Sequence, residues 1–155
     1  MGELYETYKQ LESGFSTNAY ITRMGRVSCG FVGKRLLGYA ESHDKDRLMY
    51  KALQFGNGAG TSPVAGNLNN ALFRMSAIGA TSLLVPGPKM IWHFAELGMN
   101  NSIWTCNNGI VNSDYDNNTP PGDCKLDTKP QPQWTNNWLA IPERAKIYTD
   151  WSKMI

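Results

Sequence analysis

The sequence predicts an α/β fold in which two short parallel strands, at residues 36–40 and 89–94, are joined through a helix at residues 67–84. The first strand is a mainly apolar run that ends at a polar cluster, as a buried strand does where it meets a loop. The helix has apolar residues at helical spacing and Asn67 as its N-cap. The second strand is an apolar and aromatic run after a Pro-Gly-Pro turn. Parallel strands joined in this way predict a right-handed βαβ unit.

The rest of the chain is predicted to be helical at both ends and after the first strand, and irregular elsewhere. Apolar side chains near one face predict a short helix over residues 1–11, and helical character is also expected for residues 45–55. Pro142 predicts the first turn of a last helix, because a helix does not need the missing N–H there. Residues 13–34 and 99–138 show no clear period, which indicates loop, with short strands in the former. Apolar side chains of the last helix are expected to cover the outer face of the strands, namely those of Tyr148, Trp151 and Ile155.

Composition argues against two classes of partner. The net charge is +2, and the basic residues are scattered and form no stripe, so the sequence does not indicate nucleic-acid binding. No apolar run approaches the roughly 20 residues that a membrane-spanning helix needs. The residues after Met1 lack the basic start and apolar centre of a signal peptide.

The three cysteines do not form a metal-binding pattern. No Cys-x-x-Cys pair occurs, and no histidine lies at ligand spacing, so neither a metal site nor a cofactor site is predicted. Cys106 and Cys124 bracket a loop rich in Asn, Asp, Gly and Pro, which a disulfide would close in an oxidising compartment. The third cysteine, Cys29, has no obvious partner, so the sequence leaves the pairing open.

The strongest candidate site is the pair His43-Asp44, which follows the first predicted strand. In parallel α/β folds, reacting groups are displayed at the carboxyl ends of strands. Arg47 lies a few residues further on, and the second predicted strand ends at a Glu-x-Gly segment that contains Glu96. The two strands therefore predict one polar cluster at a shared edge.

These two segments resemble the last two barrel strands of the α-amylase family of glycoside hydrolases, family thirteen, most closely the large α-amylases of Bacteroidetes. The resemblance rests on the His-Asp pair with its following Arg, the Pro-Gly turn, and the Glu-x-Gly exit, in this order and at this spacing. It implies that residues 36–155 are the C-terminal portion of a (β/α)8 TIM barrel, comprising two βα units, a long loop and a terminal helix. Residues 1–35 are then a poorly defined N-terminal segment. A complete barrel takes ~250 residues, so the resemblance implies part of a barrel.

The resemblance also implies roles for five residues in cleaving an α-glucan such as starch or a maltooligosaccharide. Asp44 would stabilise the transition state of a retaining mechanism, and His43 would bind hydroxyls of the same sugar. Arg47, Glu96 and Trp134 would bind substrate. The nucleophile and the proton donor belong to strands whose motifs are not present before residue 36. The isolated chain is therefore expected to be inactive.

Further expectations concern partners and location. The resemblance implies an α-glucan substrate, a missing part of the barrel as partner, and Ca²⁺ as an ion for the complete enzyme, which would be secreted or cell-surface. Two parallel strands with unpaired edges also predict self-association of the isolated chain. The alternatives are a non-catalytic carbohydrate-binding or structural remnant, and a transglycosylating or branching relative.

The same residues also have ordinary structural interpretations. Asp44 is a favourable N-cap for a helix at residues 45–55. Arg47 has Asp44 and Asp46 as available partners for a surface ion pair. Glu96 would then support structure and would not donate a proton, and the neighbouring aromatic residues of the second strand would be packing groups.

Overall fold

The computed structural model describes residues 2–17, 20–106, 110–111 and 136–155, and about half of these residues lie in helices. The α-helices that build the core are α1 (Gly2–Glu12), α2 (Leu48–Phe55), α3 (Leu68–Leu83) and α4 (Pro142–Met154). Short 3₁₀ helices lie between them, at Ile21–Met24, Arg26–Cys29, Ala95–Leu97 and Trp138–Ala140.

The helices agree with local sequence pattern. The predictions for residues 1–11, for residues 67–84 and for a last helix with proline in its first turn are confirmed by α1, α3 and α4. Asn67 caps α3, because its side-chain oxygen accepts a hydrogen bond from the backbone N–H of Asn70 at 3.0 Å. Helix α2 begins at Leu48, three residues later than expected.

The prediction of two strands is wrong in extent. Pairing between the two segments is limited to one parallel bridge, between Gly38 and Lys89. The N–H of Gly38 donates to the carbonyl of Pro88, and the N–H of Met90 donates to the carbonyl of Gly38, each at 3.0 Å. The two segments therefore meet in the expected parallel direction, but the described residues hold no third strand to extend the ladder. Two strands alone are marginal, so the described chain is mainly helical and is not a barrel.

Helix α3 lies at the centre of the core, with α4 packed along it. The indole N–H of Trp151 on α4 donates to the carbonyl of Met75 on α3 at 2.9 Å. Gly79 makes this approach feasible, because a Cβ there would overlap with the same indole ring. Of the three side chains of the last helix that were expected to cover the strands, Trp151 is buried against α3 instead, whereas Tyr148 is 47 % exposed and Ile155 is 84 % exposed.

Helix α1 contributes to the same core. Tyr5 and Tyr8 are buried there, and Arg74 on α3 donates to the carbonyl of Leu11 at 2.8 Å. Glu12 at the end of α1 is fully buried, and its carboxyl has no hydrogen-bond partner in the described part of the chain. Burial raises the pKa of Glu12 well above its ordinary value, although the charge of Arg74 opposes the rise. The short strands expected within residues 13–34 are replaced by 3₁₀ helices where this segment is described.

Replacing Gly79 by alanine should weaken the contact between α3 and α4. Alanine is favoured over glycine within a helix by about 1 kcal/mol, but overpacking a well-packed site costs about 1–3 kcal/mol. We expect a net loss of up to about 2 kcal/mol in the free energy of unfolding, measured by urea denaturation. Gly25→Ala is the matched control, because a Cβ there would meet nothing closer than 3.5 Å. A stabilised Gly79→Ala protein would contradict this account of the helix contact.

Candidate functional site

The loop after the β-bridge is closed by a buried ion pair between Glu41 and Arg47. Glu41 is 3 % exposed and Arg47 is 1 % exposed. The Nη1 of Arg47 donates to Oε2 of Glu41 at 3.0 Å, and the backbone N–H of Leu48 donates to Oε1 at 2.7 Å. Glu41 therefore supplies a hydrogen-bond acceptor to the first turn of α2 from seven residues upstream.

This arrangement corrects two structural interpretations of the sequence. Asp44 does not cap α2; its carboxylate accepts a hydrogen bond from the hydroxyl of Ser42. Arg47 does not form a surface pair with Asp44 or Asp46, because its guanidinium is buried against Glu41. Arg47, predicted as a substrate-binding residue, thus holds the loop together from within.

Asp46 fastens the same loop to the segment that contains Ser102 and Ile103. Its Oδ2 accepts from the hydroxyl of Ser102 at 3.0 Å, and its Oδ1 accepts from the N–H of Ile103 at 3.1 Å. The N–H of Arg47 also donates to Oδ1 at 2.9 Å, and Lys51 forms an ion pair with Oδ2 at 3.7 Å. These contacts occupy the Asp46 carboxylate fully.

His43 and Asp44 lie exposed at the tip of this loop. The hydrogen bond from Ser42 lowers the pKa of Asp44, and the neighbouring His43 and Lys45 lower it further. Asp44 is therefore a solvent-facing carboxylate that stays ionised in mildly acidic solution. Its immediate support, Ser42, is buried.

His93, which lies in the predicted second strand at residues 89–94, contacts this loop through Arg47. The distance between Nη2 of Arg47 and Nε2 of His93 is 3.0 Å. A guanidinium has only donors, so Nε2 accepts and the neutral ring carries its proton on Nδ1. Burial lowers the pKa of His93, and the charge of Arg47 lowers it further, which also favours the neutral ring.

Aromatic rings continue from the loop tip into the second segment. The ring of His43 lies 5.8 Å from that of Trp92, and Trp92 lies 4.7 Å from His93. His93 is 5.4 Å from Phe94, which is 6.4 Å from Trp138. We call these five residues the aromatic row. Phe94 has a φ of +61°, a conformation that bulky residues rarely adopt and that is often found at functional sites.

Glu96 lies just beyond the aromatic row, in the 3₁₀ helix Ala95–Leu97. Its Oε2 atom is buried and has no hydrogen-bond partner among the residues described. Burial raises the pKa of Glu96, whereas a hydrogen bond from its own backbone N–H and the charge of Arg47 lower it. The carboxyl of Glu96 is therefore within the electrostatic reach of Arg47, as Glu41 and His93 are.

Arg144 on α4 holds the chain at the end of the 3₁₀ helix Ala95–Leu97 and just after it. Its Nη1 donates to the carbonyl of Leu97 at 2.7 Å and to that of Gly98 at 2.5 Å, and its Nη2 donates to Oδ1 of Asn100 at 2.8 Å. Its guanidinium also lies 4.5 Å from the centre of the Trp138 ring. Burial lowers the pKa of Arg144, although arginine keeps its charge at any pH that leaves the protein folded.

Some predictions fall on residues without a structural description. Trp134 and Cys124 both lie outside the described residues. Cys106 takes part in a disulfide, whereas Cys29 is a free, exposed thiol.

The described residues contain no group of three or more His, Cys, Asp or Glu side chains that is placed to hold a metal ion. Within the same ranges, no helix combines the length and apolar character needed to cross a membrane.

The sequence did not reveal the structural residues of this site. Glu41 was assigned no role from the sequence, and Asp46 was considered as a surface partner of Arg47, yet both are buried. A signal was present, because Glu41 directly follows the apolar run and precedes Arg47 by six residues. At that spacing, an ion pair between the two residues can close the loop that lies between them.

No protein-family model matches this chain, and no curated protein matches its sequence. The resemblance to the α-amylase family therefore depends on the two sequence segments themselves. What it implies for substrate and mechanism is a proposal.

Removing the charge of Glu41 should destabilise the whole site. Glu41→Gln leaves the buried guanidinium of Arg47 without an ionic partner, and breaking such a pair costs about 3–5 kcal/mol in the free energy of unfolding. Glu6→Gln removes the same charge from the exposed pair with Lys9 and should change the free energy of unfolding by less than about 1 kcal/mol. Equal effects of the two substitutions in urea denaturation would show that the buried pair is not the main interaction that stabilises the loop.

The lowered pKa of His93 predicts a specific pH dependence of stability. The unfolded chain binds the His93 proton more readily than the folded one, so stability is complete above about pH 6.5 and falls as the pH drops below it. In His93→Gln, the amide oxygen can still accept from Arg47 but does not titrate. Unfolding measured from pH 7 to pH 5 should therefore show a smaller loss in the variant. Carboxyl titrations are common to both proteins and cancel in the comparison, so parallel curves would refute the role of His93.

Proposed function

We propose that this chain supplies the transition-state-stabilising and sugar-binding part of an α-glucan-cleaving site, with Asp44 and His43 as the residues that contact the sugar. The observation that carries the proposal is the exposed His43-Asp44 pair at the tip of a loop whose base is buried and ion-paired. The loop residues beneath the tip are occupied in holding it. Asp44 and His43 are therefore available to a ligand.

The charge and support of Asp44 fit this role. Glycosidic cleavage passes through an oxocarbenium-like transition state, in which positive charge develops on the sugar ring. A carboxylate that is already ionised and oriented stabilises that charge without reorganising at the moment of reaction. The hydroxyl of Ser42 both lowers the pKa of Asp44 and fixes its carboxylate.

The proposal also covers the architecture around the site. Residues 36–155 would be the last two βα units of a (β/α)8 barrel, and the parallel bridge between Gly38 and Lys89 supports that order of segments. The other carboxylates near the loop do not replace the missing nucleophile and proton donor, because Glu41 and Asp46 are buried and hydrogen-bonded. The complete site would act by a retaining mechanism, with hydrolysis favoured over transfer to another sugar.

A second candidate is a non-catalytic carbohydrate-binding protein. It is favoured by the same fact that Glu41 and Asp46 have structural partners, which leaves Asp44 as the one exposed carboxylate in the described loop 41–48. The reading frame upstream of Met1 distinguishes the candidates. Six further strands with an Asp and a Glu motif there would support the catalytic role.

The test compares two ligands of equal length that differ in charge. One is maltotetraose, and the other is an amino-sugar analogue whose linking nitrogen is protonated and mimics the charged ring. The unaltered chain should bind the cationic analogue more tightly by calorimetry, because Asp44 faces the positive charge. Asp44→Asn should abolish this preference and leave folding intact. In a complete barrel the same substitution should lower kcat by about a hundredfold to a thousandfold, which corresponds to roughly 3–4 kcal/mol.

Glu6→Gln serves as the control for net charge. It removes one exposed carboxylate from α1 and should leave the preference for the cationic ligand unchanged. Binding of the two ligands with equal affinity by the unaltered chain would contradict the proposed function.

A further inference from the structure

We propose that residues 20–37 form a surface that docks on a bilayer of anionic phospholipid. The inference goes beyond the proposed function, because this segment precedes the loop tip and includes none of the residues assigned to the sugar site. It combines exposed apolar side chains with basic ones, and we call it the basic apolar surface.

The apolar part of this surface is unusually exposed. Met24 is the one buried side chain in the range 20–37, and it joins the hydrophobic core. Val32 is 94 % exposed at the end of a turn. Large apolar side chains that gather on a surface commonly mark a contact with a membrane or another protein. Those exposed in this range are Tyr20, Ile21, Val27, Phe31, Val32 and Leu37.

The charge of the same surface has one sign. The range 20–37 contains four basic residues, and no Asp or Glu occurs between Glu12 and Glu41. Helix α1 contacts the 3₁₀ helix Ile21–Met24, but Glu6 of α1 is already paired with Lys9, and Glu12 is buried. The surface is therefore suited to an anionic partner. Its basic residues are Arg23, Arg26, Lys34 and Arg35.

The turn at Phe31-Val32 has its own carbonyl groups satisfied. The Nη1 of Arg26 donates to the carbonyl of Phe31 at 3.4 Å and also to that of Val32. The N–H of Phe31 donates in return to the carbonyl of Arg26 at 3.0 Å. An unpaired carbonyl is costly to place in an apolar phase, and Arg26 reduces this cost for the turn. Lys34 and Arg35 follow directly, where they can reach the headgroup phosphates.

The segment is held in shape by short-range hydrogen bonds. The hydroxyl of Ser28 donates to the carbonyl of Gly25 at 2.7 Å and to that of Thr22 at 2.9 Å. The segment is attached to the rest of the fold by Met24 near one end and by the bridge from Gly38 to Lys89 just after the other. A surface formed in advance loses less conformational entropy when it binds.

A bilayer suits this surface better than other anionic partners. A bilayer accepts projecting side chains such as Val32 without a matching pocket, and its anionic headgroups attract the nearby cations. Single-stranded nucleic acid binds through aromatic faces, which the aliphatic side chains of Ile21, Val27 and Val32 do not provide. A second copy related by two-fold symmetry would place the same cations against each other. An anionic lipid surface satisfies both the charge and the apolar side chains.

The first test measures binding to two kinds of vesicle. One kind is phosphatidylcholine alone, and the other is an equal mixture of phosphatidylcholine and phosphatidylserine. We expect the unaltered chain to sediment with the mixed vesicles and to remain in the supernatant with phosphatidylcholine. Added salt should weaken the binding, because it screens the attraction between the cations and the headgroups.

Two variants separate the apolar and the basic contributions. Val32→Ser should weaken binding to the mixed vesicles by about fivefold to tenfold, because an apolar side chain no longer enters the interface. Lys34→Gln combined with Arg35→Gln should weaken it by about tenfold or more, since each cation near an anionic bilayer contributes about fivefold.

Controls of the same chemistry lie on α4. Ile155→Ser removes an exposed apolar side chain, and Lys146→Gln combined with Lys153→Gln removes two exposed cations. Both controls should bind the mixed vesicles as the unaltered chain does. Controls that weaken binding as much as the variants would overturn the assignment to this surface.

A second measurement keeps every residue of the surface. Cys29 is a free and exposed thiol, so it can carry a fluorophore that brightens in an apolar environment. The labelled chain should brighten with the mixed vesicles and not with phosphatidylcholine alone.

Three other results would overturn the proposal. The first is binding to neither vesicle, or equal binding to both. The second is self-association that Val32→Ser abolishes, without vesicle binding, which would assign the surface to a second copy. The third is binding of a single-stranded oligonucleotide without vesicle binding, which would assign it to nucleic acid.

Discussion

The buried ion pair between Glu41 and Arg47 is the constraint on which the candidate site depends. Two charges are taken out of water, and the desolvation of such a pair is repaid only by good geometry and additional hydrogen bonds. The structure supplies these, because Glu41 accepts from Arg47 and from Leu48, and Arg47 also donates to His93. The pair itself closes the loop, the bond from Leu48 to Glu41 supports the first turn of α2, and the contact from Arg47 to His93 joins two residues that are 46 positions apart.

This arrangement separates the residues that hold the fold from those that face solvent. Glu41, Asp46 and Arg47 are buried and hydrogen-bonded within the protein, whereas His43 and Asp44, which lie between Glu41 and Asp46 in sequence, are exposed. A change at the loop tip therefore has few structural consequences, and the tip is still positioned by a rigid base. Sites that depend on fixed electrostatics need this combination, since a carboxylate that had to reorganise would lose much of its effect.

The sequence predicted what depends on neighbours along the chain and missed what depends on distant contacts. Helix α3 and its cap at Asn67 follow from periodicity and one side-chain bond within the first turn. The two predicted strands did not form, because a strand needs partners along its edges and these two segments are paired by the single bridge between Gly38 and Lys89. In the site, the adjacency of His43 and Asp44 was given by sequence. The burial of Glu41 and the link from Arg47 to His93 arise from tertiary packing, which no local pattern contains.

The distribution of charge around Arg47 leaves the negative charge of Asp44 at the loop tip largely uncompensated. Glu41 and Glu96 both feel the charge of Arg47, but Glu41 alone is paired with it at hydrogen-bond distance. Glu96 has a raised pKa and so keeps its proton to a higher pH than an exposed glutamate. His93 is neutral for the complementary reason, since Arg47 disfavours a second positive charge beside it. The buried cation is thus balanced locally, and its field does little to cancel that of Asp44, whose negative charge faces solvent and any ligand that approaches the loop tip.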